Sequence, residues 1–222
     1  MLRERPRGAG RRRCAAAGLA AVLALGAAGL ASAQAEPVVS TTQSMRIAGR
    51  GLTYTAEVGR IAIRDAETGE PRGFMGYIAY RVAAKGPPRP LTFVWNGGPG
   101  ADSSTLHFEV VGPKRGEGGA LVDNAETWLV DTDLVFVDPI GTGFSRPAKA
   151  EYAKAFYGTV GDVASVAEFV RRWRRLHGAE NAPTFLAGES WGAGRAGSVG
   201  YALLKRGVPV KGLVLILSLI HI

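Results

Sequence analysis

Thr184-Phe-Leu-Ala-Gly-Glu-Ser-Trp-Gly192 decides the fold. Its first four residues are a short apolar run without polar alternation, the pattern of a strand buried on both faces of a parallel sheet. Gly188-Glu189-Ser190-Trp191-Gly192 follows at once as G-x-S-x-G, and a helical stretch from about Trp191 to Arg206 comes next. In a nucleophile elbow the serine sits at a sharp strand-to-helix turn; larger flanking side chains would clash there, and the helix N-terminus supplies a positive field. Ser190 is therefore the candidate nucleophile. The alternative is an ordinary glycine-rich strand-to-helix turn.

Three further runs resemble that first strand: Leu91-Thr-Phe-Val-Trp95, Leu134-Val-Phe-Val137 and Leu213-Val-Leu-Ile-Leu217. After Thr159, apolar Val163, Val166, Ala167, Val170 and Trp173 recur at helical spacing. Arg171, Arg172, Arg174 and Arg175 cluster in the last turns, where cations complement the helix dipole and keep that face solvated, and Gly178 is a natural stop. Upstream, 52–58, 61–63 and 76–82 read as antiparallel strands, with Glu67-Thr-Gly-Glu-Pro71 as a turn and Glu36–Ser44 as a polar lead. The rhythm predicts an α/β fold: antiparallel lead strands, then a mostly parallel sheet with crossover helices.

Two more loops leave buried strands. Asn96-Gly97-Gly98-Pro99-Gly100 follows the strand ending at Trp95, where such a fold places the second amide of an oxyanion hole. The Gly98 and Trp191 N–H groups are the expected pair; the alternative is a tight turn without a ligand. Asp138-Pro139-Ile140-Gly141-Thr142-Gly143-Phe144-Ser145 reads as a site-lining loop, with Ser145 a turn serine. Gly192–Gly197 also matches G-x-G-x-x-G, but no acidic residue follows Glu189 to bind a ribose. A dinucleotide is thereby excluded, and those glycines are expected to let the helix pack closely on the sheet.

Composition narrows the function classes. The chain has 222 residues, 46% of them hydrophobic and 21% charged, which excludes disorder and collagen-like fibres. A single Cys14 excludes a disulfide scaffold or a cysteine-rich zinc site, and His107, His177 and His221 form no ligand pattern, so no metal or other cofactor is expected. The net charge of +8 lies mainly at one end: six arginines against Glu4 in residues 1–35 give +5 and leave +3 for the rest. A nucleic-acid partner loses its support. Residues 1–35 instead read as an export signal, with an arginine-rich start, an uncharged run from Cys14 to Ala31 and small residues for cleavage after Ala33 or Ala35. The expectation is an exported protein, periplasmic or extracellular, with no membrane association once the signal is removed, and a single partial domain over 36–222.

At the three loops the chain resembles the serine carboxypeptidase family of α/β-hydrolases. Asn96–Gly100, Val137–Ser145 and Gly188–Gly192 stand in the family's order, and the likeness covers roughly Phe74 to Leu217. The resemblance implies an acyl-enzyme on Ser190, an oxyanion held by the Gly98 and Trp191 amides, and a peptide substrate whose terminal carboxylate is recognised by Asn96, Gly97 and Glu189. Glu189 can donate to a carboxylate only when protonated, which favours acidic conditions. Glu109 resembles a further acidic residue of that network, with its spacing to Gly112-Pro113 off by one. Val94 stands where the family has a tryptophan, with Trp95 next to Asn96 instead, and Ala101-Asp102 replaces the usual cysteine and serine. The acid and the histidine that should follow the serine are missing: no carboxylate follows Glu189, and His221 stands immediately after the next strand. Ser218–Ile222 does not resemble the family, so the sequence reads as truncated near Leu217. Its last strand is expected to be an uncovered apolar edge, leaving the chain as written poorly folded and inactive. Two alternatives stand beside the carboxypeptidase: a non-catalytic peptide-binding relative, and an esterase or acyltransferase of the same fold.

Overall fold

The computed structural model describes residues 38–217; the expected export signal at 1–35 and the tail after Leu217 lie outside them. The strands are β1 (Val39–Ile47), β2 (Arg50–Arg64), β3 (Pro71–Arg81), β4 (Leu91–Trp95), β5 (Lys114–Glu117), β6 (Ala120–Asp123), β7 (Asp133–Val137), β8 (Arg146–Pro147), β9 (Thr184–Glu189) and β10 (Gly212–Ile216). The main sheet runs β1-β2-β3-β7-β4-β9-β10, with β8 paired to β3. The β1–β2, β2–β3 and β3–β7 pairs are antiparallel, whereas β7, β4, β9 and β10 are mutually parallel. The fold is thus the one the apolar runs predict.

Helices α1 (Thr159–Leu176) and α2 (Trp191–Lys205) cover one face of the sheet. Val166, Ala167, Phe169, Val170 and Trp173 of α1 meet Phe93, Trp95, Val135 and Leu186 there. The opposite face packs Val94, Leu134 and Phe136 under Leu106 and Val111 of a short π-helical turn and Leu129 of a 3-10 turn. Two cores on one sheet explain why its central strands are mostly apolar, without polar alternation.

Four readings change. The polar lead is mostly strand: β1 pairs along β2, and only Met45 within it is buried. A strand exposed along most of its length needs no apolar alternation, because its ladder is made by the backbone. The two expected strands 52–58 and 61–63 are one, continuous through Gly59. Arg174 is not solvated; it is buried, and its guanidinium donates to the Glu180 carbonyl. Among the glycines of α2, a Cβ at Gly192 would clash with the Asn96 backbone, whereas Gly194 and Gly197 face open space, so close packing on the sheet does not explain those two. The edge strand β10 carries exposed Leu213, Val214 and Leu215, as an uncovered apolar edge would.

Candidate active site

The site forms where β4, β7 and β9 end side by side. Ser190 joins β9 to α2 at φ 54° and ψ −124°, a left-handed conformation of the kind that costs a non-glycine residue about 1–3 kcal/mol. Its N–H donates to the Ile216 carbonyl (2.9 Å) and its carbonyl accepts from Ala193 N–H (2.9 Å), so the turn is tied to β10 and to the first turn of α2. The flanking glycines are demanded by space: a Cβ on Gly188 would lie 2.0 Å from the Gly192 carbonyl oxygen, and one on Gly192 would lie 2.7 Å from that of Asn96. Strand, tight turn at a positive φ and helix together have the geometry of a nucleophile elbow.

Asn96, 3% exposed, is the hub beside it. Its Nδ2 donates to Glu189 Oε2 (3.3 Å), its Oδ1 accepts from Leu106 N–H (3.0 Å), and its carbonyl accepts from Arg195 Nη1 (2.9 Å). Arg195 Nε is held in turn by Asp162 Oδ2 at 2.7 Å. Gly97 presses against the elbow, since a Cβ there would be 2.6 Å from the Glu189 carbonyl oxygen and 2.7 Å from the Trp191 nitrogen. Gly98 follows at φ 105°, a conformation open to glycine. Asn96, Gly97, Glu189, Ser190 and Trp191 are therefore brought together. Glu109 is not: it is exposed and lines a separate depression with Phe108, Arg115 and Glu117. The π-helical turn Leu106–Val111 that carries it is closed by Gly112 N–H on the His107 carbonyl (3.1 Å), five residues back.

The shifted tryptophan has a consequence. Adjacent strand residues point to opposite faces, so Trp95 falls on the helix side, fully buried, and its Nε1 donates to the Gly192 carbonyl (2.9 Å). Val94 takes the opposite core. Asp138 was legible only as part of a lining loop, yet it joins two loops: Oδ1 accepts from Ser103 N–H (3.0 Å) and Oδ2 from Phe144 N–H (3.4 Å). Burial pushes its carboxyl above the ordinary value, and the two amides pull the other way. Ser145 is the expected turn serine, buried, accepting from Gly76 N–H and donating to the Asp138 carbonyl. A cleft of about 400 Å³ opens beside the elbow between Pro99, Ile140, Phe156, Tyr157, Trp191 and Arg195.

Among the described residues neither histidine partners Ser190. His107 is buried against Tyr80, whose hydroxyl lies 2.7 Å from Nε2, and burial lowers its pKa to about 4. His177 Nε2 lies 2.7 Å from Glu57 Oε1. Burial raises the Glu57 carboxyl, but hydrogen bonds from His177 and Tyr77 outweigh it and leave the group below its ordinary value. No cluster of three or more potential metal ligands occurs among the described residues.

A strand-elbow-helix serine at the carboxyl ends of a mostly parallel sheet makes this an α/β-hydrolase. A family model for serine carboxypeptidases matches residues 74–204, more than half of the chain. The chain belongs to the serine carboxypeptidase family. It is 46% identical over 59 residues to a pheromone-processing carboxypeptidase of Verticillium alfalfae, covering 26% of this chain and 9% of that protein. It is 28% identical over 149 residues to a serine carboxypeptidase-like protein of Arabidopsis thaliana, covering 63% of this chain and 29% of that one. The chain thus spans less than a third of those relatives' length. Among solved structures, a prohormone-processing carboxypeptidase from Saccharomyces cerevisiae superposes with a TM-score of 0.63 at 23% identity, over 74% of this chain and 38% of the other, a likeness of fold.

Proposed function

We propose that this chain carries the nucleophile, the oxyanion amides and the carboxylate-binding groups of an exported serine carboxypeptidase that removes C-terminal residues from peptides. The observation that carries the reading is the pairing of Asn96 with Glu189, one residue from Ser190 and its left-handed turn. In this reading Ser190 Oγ attacks the carbonyl of the last peptide bond. The Gly98 and Trp191 amides hold the negative oxygen, and the terminal amino acid leaves with a proton. Water then releases the acyl group from Ser190. Asn96 Nδ2, the Gly97 amide and a protonated Glu189 hold the substrate's terminal carboxylate. The proton of Ser190 Oγ goes to a histidine oriented by an acid, and neither His107 nor His177 fills that role, since each is bonded elsewhere.

Residues 1–35 direct export and are removed, so the enzyme works in the periplasm or outside the cell, on peptides and not on nucleic acid. Among the described residues no helix is long and apolar enough to cross a membrane.

A serine-directed phosphonate applied to the full-length protein should label Ser190, and S190A should abolish the label. N96A and E189Q should then reduce cleavage of peptides by about 10- to 100-fold, the range for losing a hydrogen bond to a charged group. Cleavage of a simple ester without a carboxylate should change by less than about threefold. Labelling with equal losses on both substrates favours an esterase or acyltransferase; no labelling leaves a non-catalytic peptide binder.

A further inference from the structure

Arg195 is the residue the proposed chemistry leaves unexplained. It sits on the inward face of α2, five positions after Ser190, with its side chain 2% exposed. A buried ion pair is weak support for stability, because the cost of removing two charges from water rivals their attraction. The Arg195–Asp162 pair therefore calls for another role, and its second hydrogen bond supplies one. Arg195 Nη1 donates to the carbonyl of Asn96, not to a side chain. A trans peptide is planar, so the carbonyl of Asn96 and the N–H of Gly97 point in opposite directions on one rigid plate. Whatever holds that carbonyl aims the Gly97 N–H.

We propose that Arg195, oriented by Asp162, is a positioning residue that fixes the Asn96–Gly97 peptide plane and so aims the Gly97 amide at the substrate's terminal carboxylate. The carboxylate part rests on the function proposed above; the positioning part does not. The arrangement joins three elements. Asp162 comes from the first turn of α1, Arg195 from α2 and Asn96 from the end of β4. The planar fork of a guanidinium serves two acceptors at once, with Nε on Asp162 and Nη1 on Asn96. A lysine ammonium lacks that fixed fork. Without the clamp, the Asn96–Gly97 plane is held from its two ends only, by the bonds of Leu106 N–H to Asn96 Oδ1 and of Ala101 N–H to the Gly97 carbonyl, and both open more often.

The test compares wild type, R195M, R195K and D162N in the full-length protein. Hydrogen exchange is followed at Ala101 and Leu106, whose amides bond the Gly97 carbonyl and Asn96 Oδ1 respectively. R195M should accelerate exchange at both by about tenfold, the effect expected of one lost hydrogen bond, with the rest of α1 and α2 unchanged; R195K should fall between. KM for a peptide with a free terminal carboxylate should rise by about tenfold in R195M, while kcat/KM for an ester lacking one should change by less than about threefold. Unchanged exchange at Ala101 and Leu106 in R195M overturns the proposal. So does faster exchange spread evenly through both helices, which would make the pair a structural strut. If wild type cleaves neither substrate, the functional reading fails alone and the exchange result still decides the positioning role.

Discussion

Replacing Gly188 by alanine should cost far more than its single methyl implies. The added Cβ would lie 2.0 Å from the Gly192 carbonyl oxygen and 2.3 Å from its carbon, against 3.4 Å for an ordinary contact. Both obstacles are backbone, so no rotamer change relieves them, and β9 and α2 must separate by roughly 1.4 Å, the difference between those distances. Overpacking costs about 1–3 kcal/mol where side chains can adjust, and a rigid backbone obstacle puts G188A at or above about 3 kcal/mol. Alanine at Gly194 is the control: helical, with nothing within 4 Å, it should stabilise by about 0.5–1 kcal/mol. Equilibrium urea unfolding of the two variants and wild type measures both. Phosphonate labelling adds a second readout, because a displacement of about 1 Å at a reacting group is enough for a loss on the order of a hundredfold. A G188A protein within about 0.5 kcal/mol of wild type would refute the elbow geometry argued here.

Other consequences are smaller. Burial lowers the His107 pKa from 6.5 to about 4, so the neutral ring contributes stability that is fully present above pH 6.5 and is lost as pH falls through about 4. Its span is worth about 3 kcal/mol, and H107F should lose that much less between pH 7 and pH 4 in urea titrations; parallel curves would argue against the assignment. W95F should cost about 1–2 kcal/mol by leaving the Gly192 carbonyl without its indole donor, and an unchanged unfolding midpoint would show that water replaces it.

Legibility followed burial. The strands that end in the site, β4, β7 and β9, were readable because both faces are covered and their central positions are mostly apolar without polar alternation, and the elbow was readable because Gly188 and Gly192 are forced by space. The strand β1 was not, since an edge exposed along most of its length leaves no apolar periodicity, only backbone pairing with β2. The β5–β6 hairpin was missed although Gly118-Gly119, both at positive φ, make its turn. Asp138 and Arg195 were illegible as linkers for another reason: each acts through a main-chain group distant in sequence, Ser103 in one case and Asn96 in the other. A motif records which residues a loop contains, whereas those bonds depend on which loops the topology makes neighbours.

That same uniform burial raises a problem of register. Leu91-Thr-Phe-Val-Trp95 is buried at every position, so sliding it by one residue against its neighbours would expose nothing, and hydrophobic patterning specifies the pairing weakly. Polar contacts remove the ambiguity. Leu91 N–H bonds the Pro183 carbonyl and Asp133 N–H the Pro90 carbonyl, both at 2.8 Å, at the start of the strand; Thr92 and Thr132 share a buried hydroxyl contact of 2.8 Å; and Trp95 Nε1 reaches Gly192 at the end. Together they set Trp95 opposite Gly188, and the next step along the two chains puts Asn96 beside Glu189 and Gly97 against the elbow. A slip of one residue would break the indole bond, turn Trp95 toward the wrong core and move Asn96 off Glu189. The proposed carboxylate pair is thus a product of strand register, held by a few buried polar contacts in a sheet whose apolar residues do not fix it.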